Sequence, residues 1–353
     1  MNNQANASIP LLSLKRNRVF GLLFLLILVA GCGQVGSAAP VPTIEEVAAL
    51  TQPAPLSSPV STATATLTPT ATATALPSST PTATATATPF PTHTPTPDPT
   101  TLVNGVPIED FIIMPPETQA NVRHIFAQGQ EMGRNPHAFS KVGDSASLTS
   151  HYLVRFDQKR YNLGIYEDLQ ETIDFYAKSF KRFGVALRIG LHSWIAFRAG
   201  EADSDKCGAD EHMVQCEFRL HNPSVLLIRL GTNDTASGDA YERAIRFAIE
   251  YSIENGVIPV LVTKSDRFEG DNRHNETLRE LAQEYKVPLW DFDVVAGTLP
   301  NRGLGTDGVH LTSYDVDDYT DPATLSFGYP LSDLTGLMML DAIRQTVTQE
   351  GNE

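Results

Sequence analysis

The chain has only three cysteines in 353 residues, no basic block beyond its extreme N-terminus, and no apolar run long enough for a comfortable membrane span. Lys and Arg number 26 against 41 Asp and Glu, a formal net charge of -15. A nucleic-acid partner needs a basic footprint, so this balance argues against one and for an acidic, solvated surface. The nine histidines show no metal-ligand spacing, and no metal or other cofactor is expected. Large apolar residues and charge are both scarce from about residue 39 to 101, and the first hundred residues do not read as globular. One folded domain follows it.

What the N-terminus does have is a processing signal. Lys15, Arg16 and Arg18 precede an apolar run from Val19 to Val29, the charged and hydrophobic regions of a secretory signal. The run ends Leu28-Val29-Ala30-Gly31-Cys32, which resembles the lipobox of bacterial lipoproteins. That resemblance implies cleavage before Cys32 and lipidation of its sulfur, hence a protein held at the outer face of a cell membrane by acyl chains. An ordinary secreted protein and an uncleaved anchor helix are the alternatives. Residues 32–101 are mostly Thr, Ala and Pro, with too little apolar surface to repay the entropy of ordering. They read as a stalk, and residues 102–353 as the folded domain after a signal peptide at 1–31.

Beyond the stalk, helical and strand-like patterns alternate. Residues 116–132 read as a helix with Val122, Ile125 and Phe126 on one face, and 138–142 as a strand end. Leu169, Ile173, Tyr176, Ala177 and Phe180 recur at helical spacing, and 185–191 read as a second strand. The nearly continuous apolar run Val225-Leu226-Leu227-Ile228-Arg229-Leu230 reads as a strand buried on both faces. A helix carrying Tyr241, Ala244, Ile245, Ala248 and Tyr251 follows and stops at Gly256. Strands at 257–263 and 287–292 flank a helix marked by Leu278, Leu281, Ala282 and Tyr285. This alternation predicts an α/β fold: a parallel sheet of about five strands with helices on both faces. Ligands bind such sheets beyond the carboxyl ends of the strands.

Three polar clusters fall on that rim. Gly143-Asp144-Ser145 follows the first strand, Gly231-Thr232-Asn233-Asp234 the third, and Asp307-Gly308-Val309-His310 comes after the fifth. Taken singly, Ser145 reads as a helix cap, Asn233 as a turn residue and His310 as a loop histidine. Their order and placement together resemble the first, third and fifth blocks of the SGNH hydrolases, the GDSL-type esterase and lipase superfamily. The resemblance spans about residue 113 to the C-terminus and implies a three-layer α/β/α, flavodoxin-like fold. It also implies Ser145 as nucleophile, His310 as general base, Asp307 as the residue orienting it, and Asn233 as an oxyanion-hole donor beside the Ser145 N–H. Ala146 departs from the Leu of the signature. The second block, normally a Gly, falls within residues 190–200, where Ser193 offers a backbone N–H.

A serine hydroxyl needs a neighbouring imidazole to take its proton, and a carboxylate to fix that ring's tautomer. Asp144 and Asp234 read as structural, satisfying loop amides, and the acidic stretch 315–321 as solvated surface. Loops at 201–215 and 313–330 read as walls of the substrate site. Cys207 and Cys216, the cysteines left after Cys32, read as a disulfide in an exported protein, with free thiols as the alternative. The expected function is an extracytoplasmic esterase acting on acetylated carbohydrate or a short acyl ester. A catalytically silent glycan-binding module and an O-acyltransferase are the alternatives.

Overall fold

The computed structural model describes residues 99–235 and 238–348. The signal peptide, Cys32 and nearly all of the stalk expected from the sequence lie outside those residues. Within them, no helix is long and apolar enough to cross a membrane.

A five-stranded sheet forms the centre. Its strands are β1 (Ile112–Ile113), β2 (Asn135–Gly143), β3 (Pro223–Arg229), β4 (Ile258–Val262) and β5 (Leu289–Trp290), in the order β1-β5-β4-β3-β2. The pairings from β2 through β5 are parallel, and only β1 runs antiparallel, against β5. Every residue of β3 and β4 is buried, which is why they read as unbroken apolar runs. Side chains alternate between the faces: Val225 and Leu227 enter one core with Val260, while Leu226 and Ile228 enter the other with Leu261.

Helices cover both faces, giving three layers. One core is closed by α1 (Pro116–Glu131) and the long C-terminal α5 (Gly328–Thr348), the other by α2 (Met213–His221), α3 (Gly238–Glu254) and α4 (Arg273–Tyr285). Proline in the first turn suits α1, since the missing N–H has no intrahelical partner there. Along α3, Tyr241, Ala244, Ile245, Ala248, Ile249 and Ser252 recur every three or four residues and are buried. The sequence reading did not isolate α5, whose apolar side chains are too evenly spread to leave a clear polar stripe. It packs closely: a Cβ at Gly336 would lie 2.6 Å from the Trp290 ring.

The structure corrects three elements. Residues 185–191 do not form a strand; only one isolated bridge, Gly143 to Leu187, touches the sheet there. The Val185 N–H is captured by the buried Glu217 carboxylate, and the chain turns at Leu191, so no ladder propagates along β2. The fifth strand of the sheet is β1 instead. The helix expected through Phe180 stops at Phe175, and the last parallel strand stops at Trp290, because Phe292 already opens a short helix.

Cys207 and Cys216 are joined in a disulfide, with their Cα atoms 5.5 Å apart, which staples the loop to α2. Closing so short a loop restricts the unfolded chain by about 2–3 kcal/mol in the chain-entropy account. The double variant Cys207→Ser/Cys216→Ser is expected to lose about that much in urea denaturation while keeping its far-ultraviolet dichroism. A midpoint equal to the parent's would contradict a stabilising bridge.

Candidate active site

Ser145 sits where β2 breaks off. Asp144 makes the break: its Oδ1 accepts the Ala146 N–H at 2.9 Å, and its carbonyl accepts the N–H groups of Ser147 at 3.1 Å and Leu148 at 2.9 Å. The turn is so tight that a Cβ at Gly143 would lie 2.6 Å from Ser147 Oγ and 2.9 Å from the Arg229 carbonyl. Only glycine allows that approach. Burial is the main cause raising the Asp144 carboxyl above its usual range, opposed by the Ala146 N–H and the nearby Arg229 guanidinium.

His310 arrives from a separate loop. Gly303 and Thr312 are tied by Thr312 N–H to the Gly303 carbonyl at 2.8 Å, and Gly305 N–H reaches the His310 carbonyl at 2.8 Å. Inside this narrow loop, Asp307 Oδ1 accepts the N–H groups of Val309 and His310, each at 3.0 Å. Those bonds, the Val309 N–H first and then the imidazole, lower the Asp307 carboxyl to about 2, although its side chain is 53% exposed. A carboxyl with a depressed value stabilises the fold above its unfolded value of about 3.9, and that contribution fades as pH falls through 2.

The proton positions follow. Ionised Asp307 can only accept, so the 2.7 Å contact between its Oδ2 and His310 Nδ1 requires the proton on Nδ1. In the neutral imidazole the lone pair of Nε2 then faces Ser145, whose Oγ lies 2.8 Å away and can donate to it. The structure thus brings Ser145, His310 and Asp307 into one hydrogen-bonded line, and Ser145 caps no helix.

Asn233 stands on the same rim. Its Nδ2 lies 3.3 Å from both Asp144 Oδ2 and the Leu191 carbonyl. The Ser145 backbone N–H has no partner among the described residues. Ser193 differs from expectation: its N–H is held by both oxygens of Asp234, at 3.1 and 3.0 Å, and its hydroxyl donates to Asp234 Oδ1 at 2.9 Å. Fully buried and committed, this N–H is not free for an oxyanion. Asp234 and Asp144 have the structural roles read from the sequence.

Sequence reasoning missed the charged layer beneath the rim. Thr232 Oγ1 donates to Asp266 at 3.0 Å, and Asp266 pairs with buried Lys264 at 2.8 Å. Lys264 and Asp266 follow the end of β4, and only their proximity to an apolar run could have marked them. The acidic stretch 315–321 is also not simply solvated, since Asp317 is fully buried against Arg155.

The site is open, with the His310 side chain 44% exposed. A depression of about 610 Å³ elsewhere, lined by Tyr161, Glu167 and Glu171 among others, includes none of Ser145, His310 and Asp307. Among the described residues the one constellation able to hold a metal, Cys207, Glu211 and Cys216, has its sulfurs in the disulfide.

No family model and no curated protein matches the chain. Among solved structures it is similar to a two-domain esterase active on acetylated mannans, at 16% identity and TM-score 0.41, over 70% of this chain and 58% of that one. A psychrotrophic esterase from Pseudoalteromonas sp. aligns at 14% identity and TM-score 0.38, over 58% of this chain and 97% of its own. A GDSL-like lipase from Bacteroides thetaiotaomicron aligns at 14% identity and TM-score 0.33, over 64% and 98%.

Removing the Asp234 carboxylate leaves the Ser193 N–H and hydroxyl buried without partners. Asp234→Ala is expected to cost about 2–4 kcal/mol in chemical denaturation, and Ser193→Ala, which deletes only the hydroxyl bond, about 1 kcal/mol. Equal losses would contradict the assignment of the Ser193 N–H to Asp234.

Proposed function

We propose that the chain is an SGNH-type serine hydrolase that cleaves carboxylic esters through an acyl-enzyme, held outside the cell by a lipid on Cys32. One observation carries the reading: Ser145 Oγ, His310 Nε2, His310 Nδ1 and Asp307 Oδ2 lie in sequence at 2.8 and 2.7 Å, with the tautomer fixed by an ionised carboxylate.

Ser145 Oγ attacks the ester carbonyl while its proton passes to His310 Nε2, and Asp307 stabilises the imidazolium that forms. The oxyanion receives the unpartnered Ser145 N–H. Asn233 supplies a second donor by turning one N–H away from its 3.3 Å contact with the Leu191 carbonyl, since a charged acceptor binds more strongly than that long neutral one. The imidazolium returns its proton to the departing alcohol, and a water activated by His310 then releases the acid. The exposure of His310 and Asp307 fits an ester whose alcohol part is bulky and stays outside the protein, such as an acetylated carbohydrate. The Thr/Ala/Pro tract at 32–101 serves in this reading as a spacer between anchor and domain, and the signal at 1–31 as the export address.

The same openness favours a second reading, transfer of the acyl group to a sugar hydroxyl instead of water. Product analysis with and without an acceptor sugar separates the two.

Purified chain is expected to hydrolyse p-nitrophenyl acetate, with Ser145→Ala and His310→Ala each lowering kcat by at least ~10³-fold and leaving the melting temperature within a few degrees. Equal rates for Ser145→Ala and the parent chain would reject the proposal.

A further inference from the structure

Behind the triad lies a second charged constellation that the proposed chemistry does not use. Arg155 lies in a short helix, Val154–Gln158, on the chain that leaves Ser145. Its guanidinium is almost fully buried and reaches the other catalytic segment: one nitrogen donates to Asp317 Oδ1, and another to the Tyr314 carbonyl. The second nitrogen also donates to His151 Nδ1 at 3.0 Å. A ladder reinforces the junction, with Tyr161–Asn162 paired in parallel with Asp317–Asp318. The chain after Ser145 and the chain after His310 are therefore joined by a buried ion pair as well as by the triad.

Asp317 has a neighbour that makes this pair unusual. Asp333 lies on α5, fully buried, with its Oδ1 accepting the Leu153 N–H at 2.7 Å. Each carboxyl uses Oδ1 elsewhere, and the Oδ2 atoms of both are buried with no hydrogen-bond partner. Ionising both would crowd two negative charges into one buried site, which makes the guanidinium of Arg155 the more important there. Arg160 and Tyr319 also face the pair, with Tyr152, Tyr329 and Lys141 within its field on the Asp333 side. Burial is the largest cause raising Asp333 well above the usual carboxylate range, with the Asp317 charge next.

We infer that Arg155, paired with Asp317 and backed by the buried carboxyl of Asp333, is a positioning device that sets the His310 loop against Ser145. The inference rests on the esterase reading above. Guanidinium geometry matters because one planar group must serve a carboxylate and a carbonyl on one segment from its place on the other. A lysine ammonium keeps the charge but not the fork.

Two variants test it on the full chain. In p-nitrophenyl acetate hydrolysis, Arg155→Lys is expected to lower kcat ~10- to ~100-fold with KM within about twofold, because the reacting atoms are misplaced while binding is kept. Asp317→Asn is read in the same way if Arg155→Lys does not fold. A folded variant with the parent's kcat overturns the positioning role alone. A parent chain without Ser145-dependent turnover overturns the esterase reading and this role with it.

Discussion

A line of two hydrogen bonds, from Ser145 to His310 and from His310 to Asp307, joins segments 165 residues apart in sequence. Everything around it keeps those bonds short without a rigid covalent link. Ser145 is set by the break of β2, where Asp144 collects three N–H groups and glycine admits Ser147. His310 is set by a loop pinched at Gly303 and Thr312 and braced internally by Asp307. The sheet supplies the common frame, because parallel pairing from β2 through β5 brings the carboxyl ends of those strands to one rim.

The rim is expensive to build, since it places carboxylates where water is scarce. Asp144, Asp234 and Asp266 are all nearly buried, and each is satisfied by donors from the loops it organises. This is the general condition for buried charge, which is tolerated when paired and hydrogen-bonded. Removing any one of these partners would strand a polar group next to the reacting atoms.

How far the sequence discloses this depends on how local the signal is. The strand at Pro223–Arg229 was legible because burial on both faces leaves an unbroken apolar run, and α3 because its buried residues keep helical spacing. Residues 185–191 misled because an apolar stretch beside an edge strand looks like a strand, while the decisive event, capture of the Val185 N–H by Glu217, is a contact between distant residues. Ile112–Ile113 is too short to register as a strand until it pairs with Leu289–Trp290. The same distinction holds at the site. Ser145, Asn233, Asp307 and His310 stand in compact motifs, whereas the fate of the Ser193 N–H depends on Asp234, 41 residues away. Asp317 looked like one more surface acid in a run of acids, and only Arg155 and Asp333 explain its burial.

The central claim is that His310 activates Ser145 as a nucleophile. Its most direct measurement is the intact mass and peptide map of the chain after exposure to a fluorophosphonate. The account predicts one phosphonyl adduct per chain, located on the peptide containing Ser145 and lost in His310→Ala. An unmodified parent chain, or an adduct that forms equally fast without His310, would contradict it.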